Sequence, residues 1–163
     1  LIAEDLGYVT DSVRQLVNDS GYPGMKVLEF AFDSRDTGNA NDYLPHNYTR
    51  NSVVYTGTHD NETMIGWLDD ITEEEYNKVL AYFNVKKSAK NTEVCDAIIR
   101  AAMSSVSDTC IIPIQDYLHY DHKYRMNTPS TIGKNWMFRL TEGEIGEDVW
   151  KNIKYLTELY GRG

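Results

Sequence analysis

The sequence is poor in cysteine and in basic residues, and it has no long apolar run. Its two cysteines, Cys95 and Cys110, show no CxxC or Cys/His ligand pattern, which favours reduced core thiols and a cytoplasmic location over a disulfide or a zinc site. No stretch reaches the roughly 18 to 20 apolar residues of a membrane span. The 16 basic and 25 acidic residues give a net charge of −9, which repels phosphate backbones and anionic lipid. We therefore expect neither nucleic acid nor a membrane surface as a partner.

The residues that are present are typical of one globular domain, because 41% of the 163 residues are hydrophobic and 12% are aromatic. Four short apolar runs are predicted to be buried strands, at residues 1–3, 25–32, 52–57 and 110–115. The last three runs are apolar on both alternations, as in parallel strands that helices cover on both faces.

Segments with helical spacing lie between and after these strands. They are predicted over residues 10–21, 72–83, 91–105 and 147–160, and the first two begin with capping residues, Thr10 and Thr72. Alternating strands and helices predict an α/β domain, and polar loops follow the strands as they do in barrels, where such loops form the active site. The pattern therefore predicts the C-terminal half, about strands five to eight, of a (β/α)8 TIM-type barrel. We expect residues 1–163 to form that half without a second domain.

Glu4 and Asp5 follow the first apolar run, so at least one carboxylate is expected at the carboxyl end of a strand. Burial at such a place can raise the pKa of a carboxyl group into the range for general acid catalysis. The structural alternative is that the two residues cap the next helix or pair with an arginine. Without further evidence, the presence of two acidic residues at this place favours the structural alternative.

His59 and Asp60 form a second polar pair, in the stretch THDN that ends a fully apolar strand. Polar side chains at such a place need a partner or a ligand, and the functional and structural interpretations weigh equally. His119 and His122 have the HxxH spacing of metal ligands, although exposed loop residues are the better interpretation. A metal-dependent hydrolase that uses His59, Asp60 and the later histidines is therefore an open alternative.

Acidic residues and an aromatic side chain in these loops are also compatible with carbohydrate chemistry. Trp136 and Asn135 offer a ring and an amide to a sugar, although a tryptophan also packs under its own loop. Cleavage of a glycosidic bond uses a carboxylic acid to protonate the leaving oxygen and carboxylate charge to stabilise an oxocarbenium-like transition state. Composition and spacing alone leave glycoside chemistry and metal-dependent hydrolysis both open.

Six motifs favour glycoside chemistry over metal-dependent hydrolysis. They are IAEDLG, GYPGMKVLEFAFD, YLPHNY, VVYTGTHDNET, IIPIQDYL and RMNTPSTIGKNWMFRL. On these motifs the sequence resembles the 4-α-glucanotransferases, also called amylomaltases or disproportionating enzymes, of the α-amylase clan. The resemblance covers essentially the whole chain, and the motifs are highly specific together although no single one is.

The resemblance implies a (β/α)8 barrel and assigns roles to individual residues. Glu4 matches the family's general acid/base at the end of the fifth strand. Asp60 matches the aspartate that holds the sugar hydroxyls and stabilises the transition state, and His59 matches the histidine that hydrogen-bonds the same ring. The positions matched as substrate-binding are Phe30, Asp33, Asn135 and Trp136.

The implied reaction moves a segment of an α-1,4-glucan onto the 4-hydroxyl of glucose or a maltooligosaccharide by retaining double displacement, without a metal or an organic cofactor. The family's nucleophilic aspartate would precede Leu1, so we expect this chain to be a C-terminal piece that is inactive alone. The missing N-terminal half is then a partner, and open barrel edges predict self-association. The alternative among binding proteins is a non-catalytic glucan-binding piece.

Overall fold

A computed structural model describes residues 1–7, 9–34 and 40–163, and at its centre lies a three-stranded parallel sheet. The strands β1 (Gly24–Val27), β2 (Ser52–Tyr55) and β3 (Thr109–Ile111) lie side by side in sequence order. Helices connect them, so the predicted α/β class is confirmed.

Each strand is shorter than the apolar run that predicted it. In register, Val54 of β2 lies beside Lys26 of β1 and Cys110 of β3. After β1 the chain turns into a 3-10 helix, Leu28–Phe32, whose two end residues pack into the core. After β3, Pro113 has no N–H to donate to a sheet, and a short helix, α5 (Ile114–Tyr117), follows. The apolar runs are therefore buried partly as helical turns.

The prediction of a buried strand at residues 1–3 is wrong. Only Ala3 pairs with the sheet, through a bridge to Gly24 of β1, and its N–H donates to the Pro23 carbonyl oxygen at 2.9 Å. Leu1 and Ile2 are 93% and 46% exposed. These two apolar side chains remain in solvent because no element among the described residues covers them.

Capping residues set the ends of two helices where the sequence predicted them. The Thr10 hydroxyl accepts from the Val13 N–H at 3.4 Å, and Gly21 ends the helix at φ +69°, a left-handed conformation that favours glycine. Thr72 and Glu75 form a capping box in which each side chain accepts from the other's backbone N–H. The helices among the described residues are α1 (Asp11–Ser20), α2 (Met64–Asp70), α3 (Glu73–Tyr82), α4 (Asn91–Ser104), α5 and α6 (Glu147–Leu159), with further 3-10 helices at Ala40–Tyr43, Pro45–Asn47 and His122–Tyr124.

The core lies around α4, which packs against α2, α5 and α6. Its buried side chains are Val94, Cys95, Ile98, Ile99, Ala102 and Met103. In contrast, α1 buries no residue, and Leu16 on it is 67% exposed. Cys95 is buried and Cys110 is partly buried, and both are free cysteines. No helix in the described part of the chain has the length and apolar character of a membrane span.

Candidate active site

Loops that follow the strands meet at the carboxyl ends of the sheet and form a cleft of about 430 Å³. One wall is the segment after β1, another is the loop after β2, and Arg125 reaches the cleft from the segment after α5. The lining side chains include Phe30, Asp33, Asp60, Asn61, Glu75 and Arg125. The cleft thus brings together three of the sequence-predicted site residues, Phe30, Asp33 and Asp60.

The loop after β2 is a tight turn that exposes His59 and Asp60. Oδ1 of Asn61 accepts from the backbone N–H of Thr58 at 3.0 Å and from its hydroxyl at 2.7 Å. The Asn61 N–H donates back to the Thr58 carbonyl oxygen at 3.2 Å, which closes the turn. The side chains of His59 and Asp60 are 55% and 48% exposed, and Nε2 of His59 lies 3.3 Å from Oδ1 of Asp60. Both side chains are therefore accessible to a ligand.

Arg125 and Asn127 hold this turn from the segment that follows α5. Nδ2 of Asn127 donates to Oδ1 of Asp60 at 2.6 Å. Nη2 of Arg125 donates to the backbone carbonyl oxygen of Asp60 at 2.7 Å, and Nη1 donates to the Glu62 carboxylate at 3.2 Å. Since these donors fix both the backbone and the carboxylate of Asp60, its orientation is set before any ligand binds.

Trp136 lies against His59. The centres of the two rings are 5.0 Å apart at an angle of 37°, and the tryptophan residue remains 54% exposed. Its backbone has φ +63°, a left-handed conformation in a bulky residue, and its N–H donates to the Met126 carbonyl oxygen at 2.8 Å. The structure therefore places Trp136 beside the predicted His59 and Asp60 pair as an open aromatic surface.

Asn135 uses its amide within its own loop. Its Oδ1 accepts from the Thr128 N–H at 3.0 Å, and its Nδ2 lies within 3.3 Å of the Thr128 carbonyl oxygen and within 3.2 Å of the Thr131 carbonyl oxygen. These bonds shape the segment that presents Trp136. A direct contact between Asn135 and a sugar stays a prediction.

Phe30 and Asp33 come from the 3-10 helix after β1 and its end. The Phe30 ring packs edge-on against Tyr43 at 5.3 Å, and Nζ of Lys26 lies 5.7 Å from the centre of the Tyr43 ring. Asp33 faces the cleft directly after the helix. Residues 35–39, in the polar loop that follows, lie outside the described residues.

Glu4 and Asp5 have different surroundings. Asp5 accepts from the Met25 N–H at 2.7 Å, so it fixes the start of β1 rather than a helix end or an arginine. Glu4 is exposed, and the lining of the cleft, as far as the structure describes it, does not include it. The assignment of Glu4 as the general acid/base stays a prediction.

The later histidines lie in different surroundings from His59. Nε2 of His119 is 2.9 Å from Oδ1 of Asp96 on α4, and His122 is exposed in a 3-10 helix. Within residues 1–7, 9–34 and 40–163, no three His, Cys, Asp or Glu side chains are grouped as metal ligands.

Two buried acids, Asp116 and Glu29, were not predicted from sequence, and Glu29 lines the cleft. Asp116 on α5 accepts from the Thr56 hydroxyl at 2.5 Å and from the Met64 N–H at 2.9 Å. Burial raises its pKa to about 6, and those two hydrogen bonds offset part of the rise. Glu29, in the 3-10 helix after β1, is also buried. The available signal was an acidic residue inside one apolar run, Glu29 in VLEF, and another directly after a run, Asp116 in IIPIQD.

Sequence comparison identifies a family and several relatives. A family model described as 4-alpha-glucanotransferase of glycoside hydrolase family 77 matches residues 1–144. The chain is 42% identical over 163 residues to a 4-alpha-glucanotransferase of Synechocystis, covering 99% of this chain and 31% of that protein. It is 43% identical over 161 residues to a chloroplastic/amyloplastic 4-alpha-glucanotransferase of rice, covering 99% of this chain and 26% of that protein. The chain thus spans about a third or less of the length of these relatives.

Solved structures agree with the sequence relatives. An amylomaltase from Streptococcus agalactiae in complex with acarbose superposes with a TM-score of 0.88 at 36% identity, covering 99% of this chain and 32% of that one. An amylomaltase from Corynebacterium glutamicum, at 14% identity and a TM-score of 0.68 over 96% of this chain and 28% of that one, shows the shared fold. Because the family model matches most of the sequence, the chain belongs to the 4-alpha-glucanotransferase family, glycoside hydrolase family 77.

Proposed function

We propose that the whole protein containing this chain is a 4-α-glucanotransferase. It transfers α-1,4-glucan segments to the 4-hydroxyl of glucose or maltooligosaccharide acceptors by retaining double displacement. The observation that carries the proposal is the family match over residues 1–144. The acarbose in the complex of the streptococcal amylomaltase supports an oligosaccharide substrate. The proposal includes a cytoplasmic location and no cofactor.

The fold proposed for residues 1–163 is the C-terminal half of the catalytic barrel, without a second domain. The strands support it, because Ala3, β1, β2 and β3 pair in parallel and in sequence order, as in about strands five to eight of a (β/α)8 barrel. The rest of the barrel supplies the nucleophilic aspartate. Residues 1–163 alone are then expected to be inactive.

In this mechanism Glu4 protonates the departing glycosidic oxygen while the aspartate from the rest of the protein attacks the anomeric carbon. Glu4 then takes the proton of the incoming 4-hydroxyl, whose oxygen attacks the anomeric carbon and displaces the aspartate. Asp60 holds sugar hydroxyls and stabilises the positive charge of the transition state, and His59 hydrogen-bonds the same ring. Asn127 holds the Asp60 carboxylate and Arg125 holds its backbone carbonyl oxygen, which supports this role, since preorganised charge stabilises a transition state best.

Four further residues complete the proposed sugar-binding surface. Phe30 and Asp33 line the cleft beside Asp60, Trp136 offers its exposed ring, and Asn135 lies next to it. Stacking of sugar rings on aromatic side chains suits such a surface. An aromatic-lined cleft also favours a sugar acceptor over water.

Incubation of maltotriose with the protein tests this proposal. The whole wild-type protein should form glucose and longer maltooligosaccharides together, whereas its Glu4→Gln variant and the chain of residues 1–163 alone should form neither. Glu74→Gln, the same change at an exposed position of α3, serves as the matched control and should remain active. Turnover by the chain alone, or full activity of Glu4→Gln, contradicts the proposed role of Glu4.

One observation favours glucan binding by the chain itself as a second candidate function. Trp136 keeps an exposed ring beside His59 within residues 1–163. Maltooligosaccharide binding to the chain alone, lost in Trp136→Ala and measured by calorimetry, would support that candidate. If the whole protein binds maltooligosaccharides without turning them over, glucan binding is favoured over transferase activity.

A further inference from the structure

Glu29 is a buried carboxyl group between the segment after β1 and the loop after β2. The residue is 5% exposed, and its Oε2 accepts from Nδ2 of Asn61 at 3.0 Å. Its Oε1 is buried and has no hydrogen-bond partner among the described residues. Its backbone N–H donates to the Thr56 carbonyl oxygen at 3.3 Å, a second link to the segment after β2. The chain therefore keeps at this point a group that is costly to bury.

Gly57 provides the space that this carboxyl group occupies. A Cβ at Gly57 would lie 2.6 Å from Oε1 of Glu29 and 3.2 Å from Cβ of Asn61. A side chain there would require the Glu29 carboxyl group to move. The segment leading to His59 is thus shaped around Glu29.

We propose that Glu29 is a positioning residue that joins the segment after β1 to the loop after β2 and fixes His59 and Asp60 there. Asn61 transmits the link, because its Nδ2 donates to Glu29 while its Oδ1 accepts from Thr58 at the start of the turn. The link itself is independent of the proposed function. Its effect on glucan transfer rests on that function.

Glu29 serves this role as a neutral acid. Burial raises its pKa well above the usual value, and the carboxylate of Asp116 raises it further. The hydrogen bond from Asn61 lowers the pKa, Glu62 raises it and Arg125 lowers it, which leaves burial dominant. A protonated carboxyl group still accepts from Asn61 and avoids an unpaired buried charge.

The proton on Glu29 makes stability depend on pH. The folded protein keeps a proton that the unfolded chain releases above its ordinary pKa of 4.5, so the stabilisation is complete below that pH. It is lost as the pH rises toward the folded pKa, by about tenfold in the folding equilibrium constant per pH unit. Glu29→Gln keeps the shape and an acceptor for Asn61 but releases no proton.

Unfolding equilibria of the whole protein between pH 5 and 8 test the neutral state. The ratio of folding constants, Glu29→Gln over wild type, should rise by up to about tenfold per pH unit. Glu74→Gln, the same change on the exposed face of α3, should give a ratio independent of pH. A pH-independent ratio for Glu29→Gln as well overturns the neutral acid.

Transfer kinetics test the positioning role. At equal folded fraction, Glu29→Leu should lower kcat by about tenfold or more, whereas Glu29→Gln should recover it to within about twofold, since small displacements of a reacting group are costly. Glu74→Leu should leave kcat unchanged. Full kcat in folded Glu29→Leu, or loss of kcat in Glu29→Gln, overturns the role. If Glu29→Leu does not fold, Asn61→Ser takes its place and tests the whole link, because it removes the hydrogen bond to Glu29 together with those from Thr58.

The imidazole NMR signals of His59 give a readout that needs no substrate. They should be unchanged in Glu29→Gln and shifted in Glu29→Leu or Asn61→Ser, because the ring lies against Trp136. Unshifted signals in all three variants overturn the positioning role even if the protein shows no glucan transfer. If the wild-type protein shows no glucan transfer while the variants still show these shifts, the proposed function is refuted and the link is retained.

Discussion

Two regions of this molecule depart from the usual distribution of side chains, in opposite directions. In the strand-end region, at the carboxyl ends of the sheet, acids are buried: Glu29, Glu75 and Asp116 are 5%, 7% and 2% exposed. In the edge region, at the outer sides of the sheet, apolar groups lie in solvent, with Leu1 93% and Ile111 42% exposed. Buried acids cost stability unless they are bonded or protonated, and exposed apolar groups forgo the stabilisation that burial provides.

The contacts of the two regions explain the difference. In the strand-end region the chain supplies partners for its acids, such as Ser34 and Thr72 for Glu75 and Thr56 for Asp116. In the edge region the described residues supply no cover. Polar groups whose partners are in place are typical of a preorganised site, whereas uncovered apolar groups are typical of a surface that associates.

The largest expected effect concerns activity in the strand-end region. Asp60→Asn should lower kcat for glucan transfer by the whole protein roughly 10²–10³-fold, because it removes a negative charge from the positive transition state. The amide oxygen can still accept from Asn127, so the turn should keep its shape. Kinetics with maltotriose, together with circular dichroism, measure both.

Asp108→Asn is the matched control for this prediction. Asp108 is exposed and lies just before β3, at the opposite end of the sheet. Its substitution should leave kcat within about twofold, as is usual for surface changes remote from a site. Equal losses of kcat in the two variants, or no loss in Asp60→Asn, would contradict a specific role of the strand-end region in transfer.

Local sequence signals predicted the parts of the fold that depend on neighbouring residues. The caps at Thr10 and Thr72 involve residues three apart, so the starts of α1 and α3 could be read directly. Strand ends could not, because the turn of Leu28–Phe32 into a 3-10 helix depends on packing against distant elements. Helix α2 was missed because its seven residues are too few to show a clear period.

The residue types of the candidate site could be read from the motifs, whereas the residues that hold them in place could not. Motifs pointed to His59, Asp60 and Trp136, and the structure brings these three together. Arg125 could not be predicted to hold Asp60, since 65 positions separate them in sequence. Only the fold determines such contacts, and they decide how well the strand-end region is preorganised.

A second prediction compares an ion pair of the strand-end region with an exposed ion pair elsewhere. Arg125→Gln should lower the free energy of unfolding by about 2–3 kcal/mol, because it leaves the poorly exposed Glu62 carboxylate without its cationic partner. Arg50→Gln breaks an exposed pair with Asp108 and should cost at most about 0.5 kcal/mol. Chemical denaturation measures both.

A double variant separates charge from shape. Adding Glu62→Gln to Arg125→Gln removes the unpaired charge and should recover part of the lost stability. No recovery would mean that the other donor bonds of Arg125, to the carbonyl oxygens of Asp60 and Asn127, account for the loss.

A third, smaller effect depends on pH. Burial opposes ionisation of Glu75, but hydrogen bonds from Ser34 and Thr72 outweigh it and lower the pKa to about 2. The ionised side chain therefore stabilises the fold above its ordinary pKa of 4.5, and this stabilisation is lost as the pH falls toward 2. Glu75→Gln should lower the free energy of unfolding by about 1–2 kcal/mol near pH 7 and by much less near pH 2.

Glu73→Gln is the control for this pH dependence. Glu73 lies in the same first turn of α3, and its side chain is 84% exposed in a 3.7 Å contact with Lys87. Its substitution should change the free energy of unfolding by at most about 0.5 kcal/mol. Denaturation curves at several pH values compare the two, and a constant difference for Glu75→Gln would contradict its lowered pKa.

The smallest effect on stability is expected in the edge region. Ile111 lies on β3, at the outer side of the sheet, and is 42% exposed. Ile111→Lys should change the free energy of unfolding by at most about 0.5 kcal/mol, since it buries no charge.

A lysine on an edge strand nevertheless discourages pairing with a second chain, so sedimentation of the chain of residues 1–163 should shift from associated species toward monomer. Ile112→Lys, one position on, should instead unfold the chain because Ile112 packs against the core. A wild-type chain that is already monomeric would show that exposed apolar groups at this edge do not make it associate.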